Sequence, residues 1–234
     1  KGRSGTTLLQ SILDAHAQVI LPVESKLIIH LKSKYLKVQN WDNKKISEFL
    51  DDLYKETKFA SHWHISREAL EKKIGNYPQE KLSFQNLCKL VYLSYASISG
   101  QGYEQLLLLG DKNPIYSMFI DDLKEVFPDA KFLHIVRDFR DSVLSNLKTF
   151  GLESISSIST HWLGYNKSIE VAKQKYTDSF MTLRYEDLVQ NPQEIVKQLC
   201  AFLGIPFQSE MLTFNEKIKT LVAKGSTEQI LKEM

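Results

Sequence analysis

Apolar residues along the chain alternate between helical and strand spacing. Leu8, Leu9, Ile12 and Leu13 share one face of a helix that opens directly after Gly2-Arg3-Ser4-Gly5-Thr6-Thr7. That helix ends near Asp14-Ala15-His16, and Gln18 to Pro22 reads as a short strand with Glu24 just past its carboxyl end. Residues 26–105 are mostly helical in pattern. Ile46, Phe49, Leu50, Leu53 and Tyr54 form one stripe, and Leu87, Leu90, Val91 and Tyr95 another, with Lys and Glu alternating on the solvated faces. Leu106 to Gly110 is an unbroken apolar run, the mark of a strand buried on both faces. Asp111-Lys112-Asn113-Pro114 follows it, then a helix through Phe127. Lys131 to Val136 is the next strand, and Phe139, Val143, Leu144, Leu147 and Phe150 place a helix from about Phe139. A long helix from about Ser154 to Tyr176 and a strand at Phe180 to Arg184 come next. A helix opened by Pro192 and ended by Gly204 follows, and the tail after Phe207 keeps helical periodicity.

Strands alternating with helices predict an α/β fold with a parallel sheet, whose strand carboxyl ends line the ligand crevice. A chain of 234 residues suits one such domain, with the helical region at about 30–105 as an insertion. Composition changes this little: 43% hydrophobic and 25% charged residues are ordinary for a globular protein. A net charge of +2 gives no bulk reason to expect nucleic acid or a membrane surface as partner. Cys88 and Cys200, isolated from each other, read as reduced core residues rather than a disulfide or zinc framework. No apolar run reaches transmembrane length and no signal peptide opens the chain, so a cytoplasmic location is expected. The chain starts at Lys1, on the doorstep of the Gly2–Thr7 loop and without a strand to feed it, which reads as a fragment from which an upstream anchor or signal could have been lost.

Chemistry concentrates at the strand ends. A small Gly-containing turn opening into a helix aims backbone N–H groups and a positive helix end at one spot, which suits phosphate or a like anion. Arg3 adds a guanidinium, and Ser4, Thr6 and Thr7 add hydroxyls. The Walker Lys-Ser/Thr ending is absent, so the loop is either a plain helix cap or a cradle for an anion other than ATP–Mg²⁺. Glu24 is either a solvated loop carboxylate or a general base beside the loop. Lys112 is either incidental or placed to offset charge on a leaving oxygen. Arg137 ends its strand, and Ser145 lies about 12 Å along the next helix, close enough for a long guanidinium to share one anion with that hydroxyl. His134 reads as a core histidine, and His62-Trp63-His64 lacks the third ligand a metal site needs.

The order anion loop, strand-end Glu, D-K-N-P, R-D-x-R-D-x-x-x-S, R-Y-E-D-L and L-x-x-L-C-x-F-L-G-I-P resembles sulfotransferases that use 3′-phosphoadenosine 5′-phosphosulfate (PAPS). The likeness is to bacterial members and to the tyrosylprotein sulfotransferase branch, across nearly the whole chain outside 30–105. It implies a P-loop NTPase-like central parallel sheet flanked by helices, with the first strand and a C-terminal loop lying outside this fragment. It implies that Arg3, Ser4, Gly5, Thr6 and Thr7 hold the 5′-phosphosulfate, that Arg137 and Ser145 hold the 3′-phosphate, and that Tyr185 comes near the nucleotide. Glu24 matches the base of the tyrosylprotein branch, there in a G-E-E-T-like setting and here in Pro22-Val23-Glu24-Ser25. Cytosolic members use a His base, for which this chain has no matching setting. Lys112 matches a Lys that steadies the transition state, with Asn113 in place of an acidic residue, and Arg3 joins it in that role. The family's late basic Gly-containing loop has only Lys224-Gly225 as a poor counterpart.

The implied reaction is metal-independent, in-line transfer of a sulfuryl group from PAPS to a hydroxyl acceptor: carbohydrate, lipid, small molecule or peptide tyrosine. Two rivals share the anion loop. A P-loop kinase would need Mg²⁺ and a carboxylate after an apolar strand, for which Asp111 is the nearest candidate. A non-catalytic nucleotide-binding domain would bind without turnover.

Overall fold

A computed structural model describes residues 3–98, 106–150 and 154–213. Tyr103, Lys224-Gly225 and the tail after Thr213, expected to be helical, lie outside the described residues. The chain is α/β, and its Cα positions separate into two compact units, 1–19 with 131–234, and 20–130.

In the first unit, α1 (Thr6–Asp14) buries Leu9, Ile12 and Leu13, the stripe its sequence spacing predicts. The strand β3 (Phe132–Val136) pairs in parallel with β4 (Phe180–Arg184), in a register running from Phe132 opposite Phe180 to Val136 opposite Arg184. Parallel neighbours need a crossover connection, and α8 (Phe139–Phe150) and α9 (Ile155–Lys175) provide it. Ser154 caps α9 by accepting the Ser157 N–H. The short α10 (Tyr185–Gln190) leaves β4 directly, and α11 (Pro192–Leu203) has Pro at its start and Gly204 in the left-handed conformation at its end. His16 is fully buried: Nε2 meets the Pro206 carbonyl at 2.9 Å, while Nδ1 accepts the Gln18 N–H at 3.0 Å. Those two bonds fix one neutral tautomer and tie the end of α1 to the segment after α11.

The second unit is largely helical: α2 (Leu27–Tyr35), α3 (Asn43–Leu53), α4 (Thr57–His62), α5 (Arg67–Gly75), α6 (Phe84–Ile98) and α7 (Ile120–Val126). Their starts are set by side chains that accept first-turn N–H groups, Asp42 for α3, Glu56 for α4 and Ser66 for α5. The core is aromatic. Tyr35, Trp41, Phe49 and Phe84 form one chain of ring contacts, and Tyr54, Phe59, Trp63 and Tyr92 another. Trp63 donates its indole N–H to the Val23 carbonyl, so the middle residue of His62-Trp63-His64 is a core anchor. Among the described residues no group of three His, Cys, Asp or Glu is placed to hold a metal. The strands β1 (Val19–Ile20) and β2 (Leu108–Leu109) pair over two residues each, and Gly110 N–H donates to the Ile20 carbonyl. The run Leu106–Gly110 is thus less enclosed than its sequence predicts: Leu107 is 54% exposed, because β2 is short and has one strand neighbour among the described residues. Both cysteines are free and buried. No helix among the described residues is long and apolar enough to cross a membrane.

Candidate active site

Two clusters of chemically capable side chains stand out, one in each unit. In the first unit the loop before α1 has a backbone few sequences accept. Arg3 has φ 73° and Gly5 has φ 92°, both in the left-handed region. Gly5 sits at the N-cap position of α1, and no side chain caps the helix there. Nothing within the helix can accept the N–H groups of its first turn, which leaves them to meet an anion. Arg3 Nε donates to Ser145 Oγ at 3.0 Å, joining the loop to α8. Ser4 is buried, and Thr6 and Thr7 open the helix.

Tyr185, at the start of α10, holds this cluster together. A Cβ on Gly5 would fall 2.3 Å from Tyr185 Cδ2, so the ring lies directly on the loop backbone. The Arg137 guanidinium sits 4.6 Å from the centroid of the same ring, a cation–π contact. Arg137 Nε is buried without a hydrogen-bond partner among the described residues, and Nη2 is 3.9 Å from an Asp141 carboxylate oxygen. A buried guanidinium N–H with no acceptor is costly, and an incoming anionic oxygen would satisfy it. Ser145 therefore meets Arg3 rather than Arg137, while Arg137 is gathered in through Tyr185. Glu186 was not singled out by the sequence, yet its Oε1 accepts the Asp138 N–H at 2.8 Å and secures the turn that follows Arg137. His134 is buried on β3 with Nε2 3.2 Å from Asn166 Oδ1, and burial holds its pKa below the ordinary value.

In the second unit Glu24 lies between two ammonium groups. Lys112 Nζ is 2.5 Å from Oε1 and Lys58 Nζ is 3.0 Å from Oε2. Burial pushes the Glu24 pKa up, but the two lysines together outweigh it and hold the carboxyl below its usual value. Lys112 arrives from the end of β2, as the D-K-N-P segment predicts. Lys58 arrives from α4 and has no sequence signature, since nothing in a surface-helix lysine reveals its partner. Ser25 is the joint beneath them: its hydroxyl donates to buried Glu56 at 2.8 Å, and Glu56 in turn caps α4. Beside them half-buried Asp111 has Oδ2 2.5 Å from both the Tyr92 and the Tyr116 hydroxyls.

The fold has precedent. The solved sulfotransferase domain of the Synechococcus PCC 7002 olefin synthase superposes with a TM-score of 0.61 at 21% identity, over 91% of this chain and 73% of that one. In sequence, the protein-tyrosine sulfotransferase of Drosophila melanogaster is 27% identical over 226 residues, 92% of this chain and 39% of the relative. An omega-hydroxy-beta-dihydromenaquinone-9 sulfotransferase of Mycobacterium bovis is 35% identical over 109 residues, 40% of this chain and 28% of the relative. The chain thus spans about two fifths of the length of the fly enzyme. Residues 2–209 match the profile described as the Sulfotransferase family, a stretch that takes in the Arg3–Thr7 loop, Glu24, Lys112, Arg137, Ser145 and Tyr185. The chain belongs to the sulfotransferase family.

Proposed function

We propose that the chain transfers the sulfuryl group of PAPS to a hydroxyl acceptor, and that it works as one sulfotransferase domain. The observation that carries this reading is the anion cluster of the first unit. The Arg137 guanidinium stacks on Tyr185, whose ring lies on Gly5 at the open N-terminus of α1, Arg3 joins the same loop to Ser145, and among the described residues one buried N–H of Arg137 lacks an acceptor. Such a cluster fits a ligand with anionic groups at two places better than a single carboxylate. Arg3, Ser4, Gly5, Thr6 and Thr7 would hold the 5′-phosphosulfate, and Arg137 and Ser145, with Tyr185 beside them, the 3′-phosphate. PAPS supplies the sulfuryl group when bound.

Glu24 takes the proton of the acceptor hydroxyl as the acceptor oxygen bonds to sulfur. The electron pair of the broken sulfur–oxygen bond leaves with adenosine 3′,5′-bisphosphate. Lys112 and Arg3 place positive charge where that oxygen becomes anionic. The names of the relatives point to a protein tyrosine and to a terminal alcohol on a menaquinone, so a hydroxyl is the acceptor class, and both phenols and primary alcohols belong in the assay.

Thermal shift with adenosine 3′,5′-bisphosphate against ADP–Mg²⁺ tests the donor site, and mass spectrometry of products from PAPS with peptide tyrosine, phenol, alcohol and carbohydrate acceptors tests transfer. Stabilisation by the bisphosphate and a mass gain of one sulfuryl group are expected. Glu24→Gln should lower kcat by about 10²–10⁴-fold, the usual range for a lost general base. Stabilisation by ADP–Mg²⁺ alone would sink the proposal.

A further inference from the structure

Glu24 and Lys112 meet because two separate turns are tied together beneath them. The Ser25 carbonyl, one residue after Glu24, accepts from Asn113 Nδ2 at 3.3 Å and lies 3.0 Å from the Tyr116 hydroxyl oxygen. The one proton of that hydroxyl is shared with Asp111 Oδ2, 2.5 Å away, and Asp111 immediately precedes Lys112. Asp111 therefore anchors the tyrosine that meets the Glu24 turn, while its own backbone delivers Lys112 to Glu24. Asp111 Oδ1 is buried and has no hydrogen-bond partner among the described residues. A carboxyl with one buried, unsatisfied oxygen is an expensive way to fill space. An amide could accept from the same tyrosine hydroxyls without having to ionise. Packing alone gives no reason for an acid here.

We propose that Asp111 is a positioning residue for proton transfer at Glu24: clamped by Tyr92 and Tyr116, it fixes where Glu24 meets Lys112 and sets a second negative charge behind the base. This rests on the sulfotransferase reading above. It also resolves a difficulty in that reading, because two lysines make Glu24 a weak base, and a neighbouring anion restores part of its basicity. The groups that face this assembly are Tyr92 and Cys88 from α6, Tyr116 from the turn after Asn113, Glu56 and Lys58 at α4, and Lys112 and Glu24 themselves. Burial pushes the Asp111 carboxyl up to about 6, against the lowering effect of the Tyr116 and Tyr92 hydroxyls and the Lys112 N–H, and the charge on Glu24 raises it further. Such coupling is mutual: ionising Asp111 raises the proton affinity of Glu24. Near neutral pH Asp111 is charged and the base is at its stronger setting; below about 6 Asp111 is neutral and Glu24 is weaker.

The test uses the whole chain with Asp111→Asn and Tyr116→Phe. The first readout needs neither donor nor acceptor: the ¹³C carboxyl titration of Asp111, assigned by its loss in Asp111→Asn. Asp111 titrates at about 6, where Glu24 is still charged, so Glu24→Gln should lower the Asp111 midpoint and its proton affinity should fall about 3-fold or more, the equivalent of half a pKa unit. The second readout is kcat from pH 5 to 8 with PAPS and a tyrosine-containing peptide. The wild-type rise through pH of about 6 should vanish in Asp111→Asn, leaving kcat about 3-fold low at pH 8 with KM for PAPS within about 2-fold. Tyr116→Phe should lower kcat at every pH.

The melting temperature at pH 8 separates position from stability. A carboxyl whose folded pKa is raised favours folding fully below its unfolded value and loses that contribution as pH rises through about 6, so at pH 8 the wild type holds an ionised carboxyl that a neutral Asn does not. Asp111→Asn should therefore melt at or above the wild-type temperature at pH 8 while losing turnover. An unchanged Asp111 midpoint in Glu24→Gln, or a fall in kcat matched by a parallel fall in melting temperature in both Asp111→Asn and Tyr116→Phe, would overturn the proposal. If the wild type transfers sulfuryl to no acceptor, the sulfotransferase reading has failed on its own, and the Asp111 titration still decides its coupling to Glu24.

Discussion

At Gly5 two demands coincide, a left-handed backbone at φ 92° and a tyrosine ring where a Cβ would stand. Either alone disfavours a side chain; together they forbid one without displacing Tyr185. Gly5→Ala should therefore cost about 1–3 kcal/mol, by overpacking and left-handed strain, and should weaken adenosine 3′,5′-bisphosphate more than it lowers the melting temperature. Calorimetric titration beside a thermal melt checks both, and unchanged affinity would separate Tyr185 from the anion site. The glycine could be read from the sequence as part of an anion loop, because turn chemistry is local. Its partner could not, since Tyr185 reaches it through the β3–β4 pairing. The same division holds at Glu24. Its position past a strand end is a local pattern, whereas Lys58, Glu56 and the Asp111 clamp are chosen by tertiary packing and leave no mark on spacing.

Between β3 and α8 the chain turns at Asp138, whose side chain accepts the Arg140 N–H at 2.9 Å while its own N–H is held by Glu186. Two elements, α8 and α10, thus share one turn, with Arg137 at its edge. Glu186→Ala removes a charged acceptor and should destabilise by about 1.5–3 kcal/mol. Glu186→Gln keeps an acceptor and should recover most of the loss, which urea denaturation of both variants measures. Equal stability in wild type and Glu186→Ala would show the bond to be idle. Helices were legible because their ends carry chemistry: Ser154, Pro192 and Gly204 bound α9 and α11 as their sequence predicts. Strands were less so. An apolar run such as Leu106–Gly110 signals burial without saying on how many sides, and Leu107 turns outward where the pairing stops. The helix expected after Pro114 begins instead as a 3-10 turn over Pro114–Met118, before α7.

Both ends of the described chain contribute to the first unit, and the second is a continuous run of residues between its parts. The anion cluster lies in the first unit and the Glu24–Lys112 pair in the second, so the donor and proton roles are separable by measurement. A ligand that binds only the folded state stabilises it by about 2.7 kcal/mol at a hundred times its Kd. With adenosine 3′,5′-bisphosphate present, amide hydrogen exchange should slow first at the start of α1 and at the β3–α8 turn. Slowing confined to residues 20–130 would move the nucleotide site away from Arg3 and Arg137. The order of motifs made the family readable from sequence, since each motif is weak and their succession is not. One feature of the second unit gives the protein an optical gauge of its own. The Trp63 indole is bonded to the Val23 carbonyl beside Glu24, and its ring lies 5.0 Å from that of Tyr92, which clamps Asp111. With Trp41 and Trp162 replaced by Phe, light emitted by Trp63 alone should follow the charge on Glu24 and on Asp111 with no label attached.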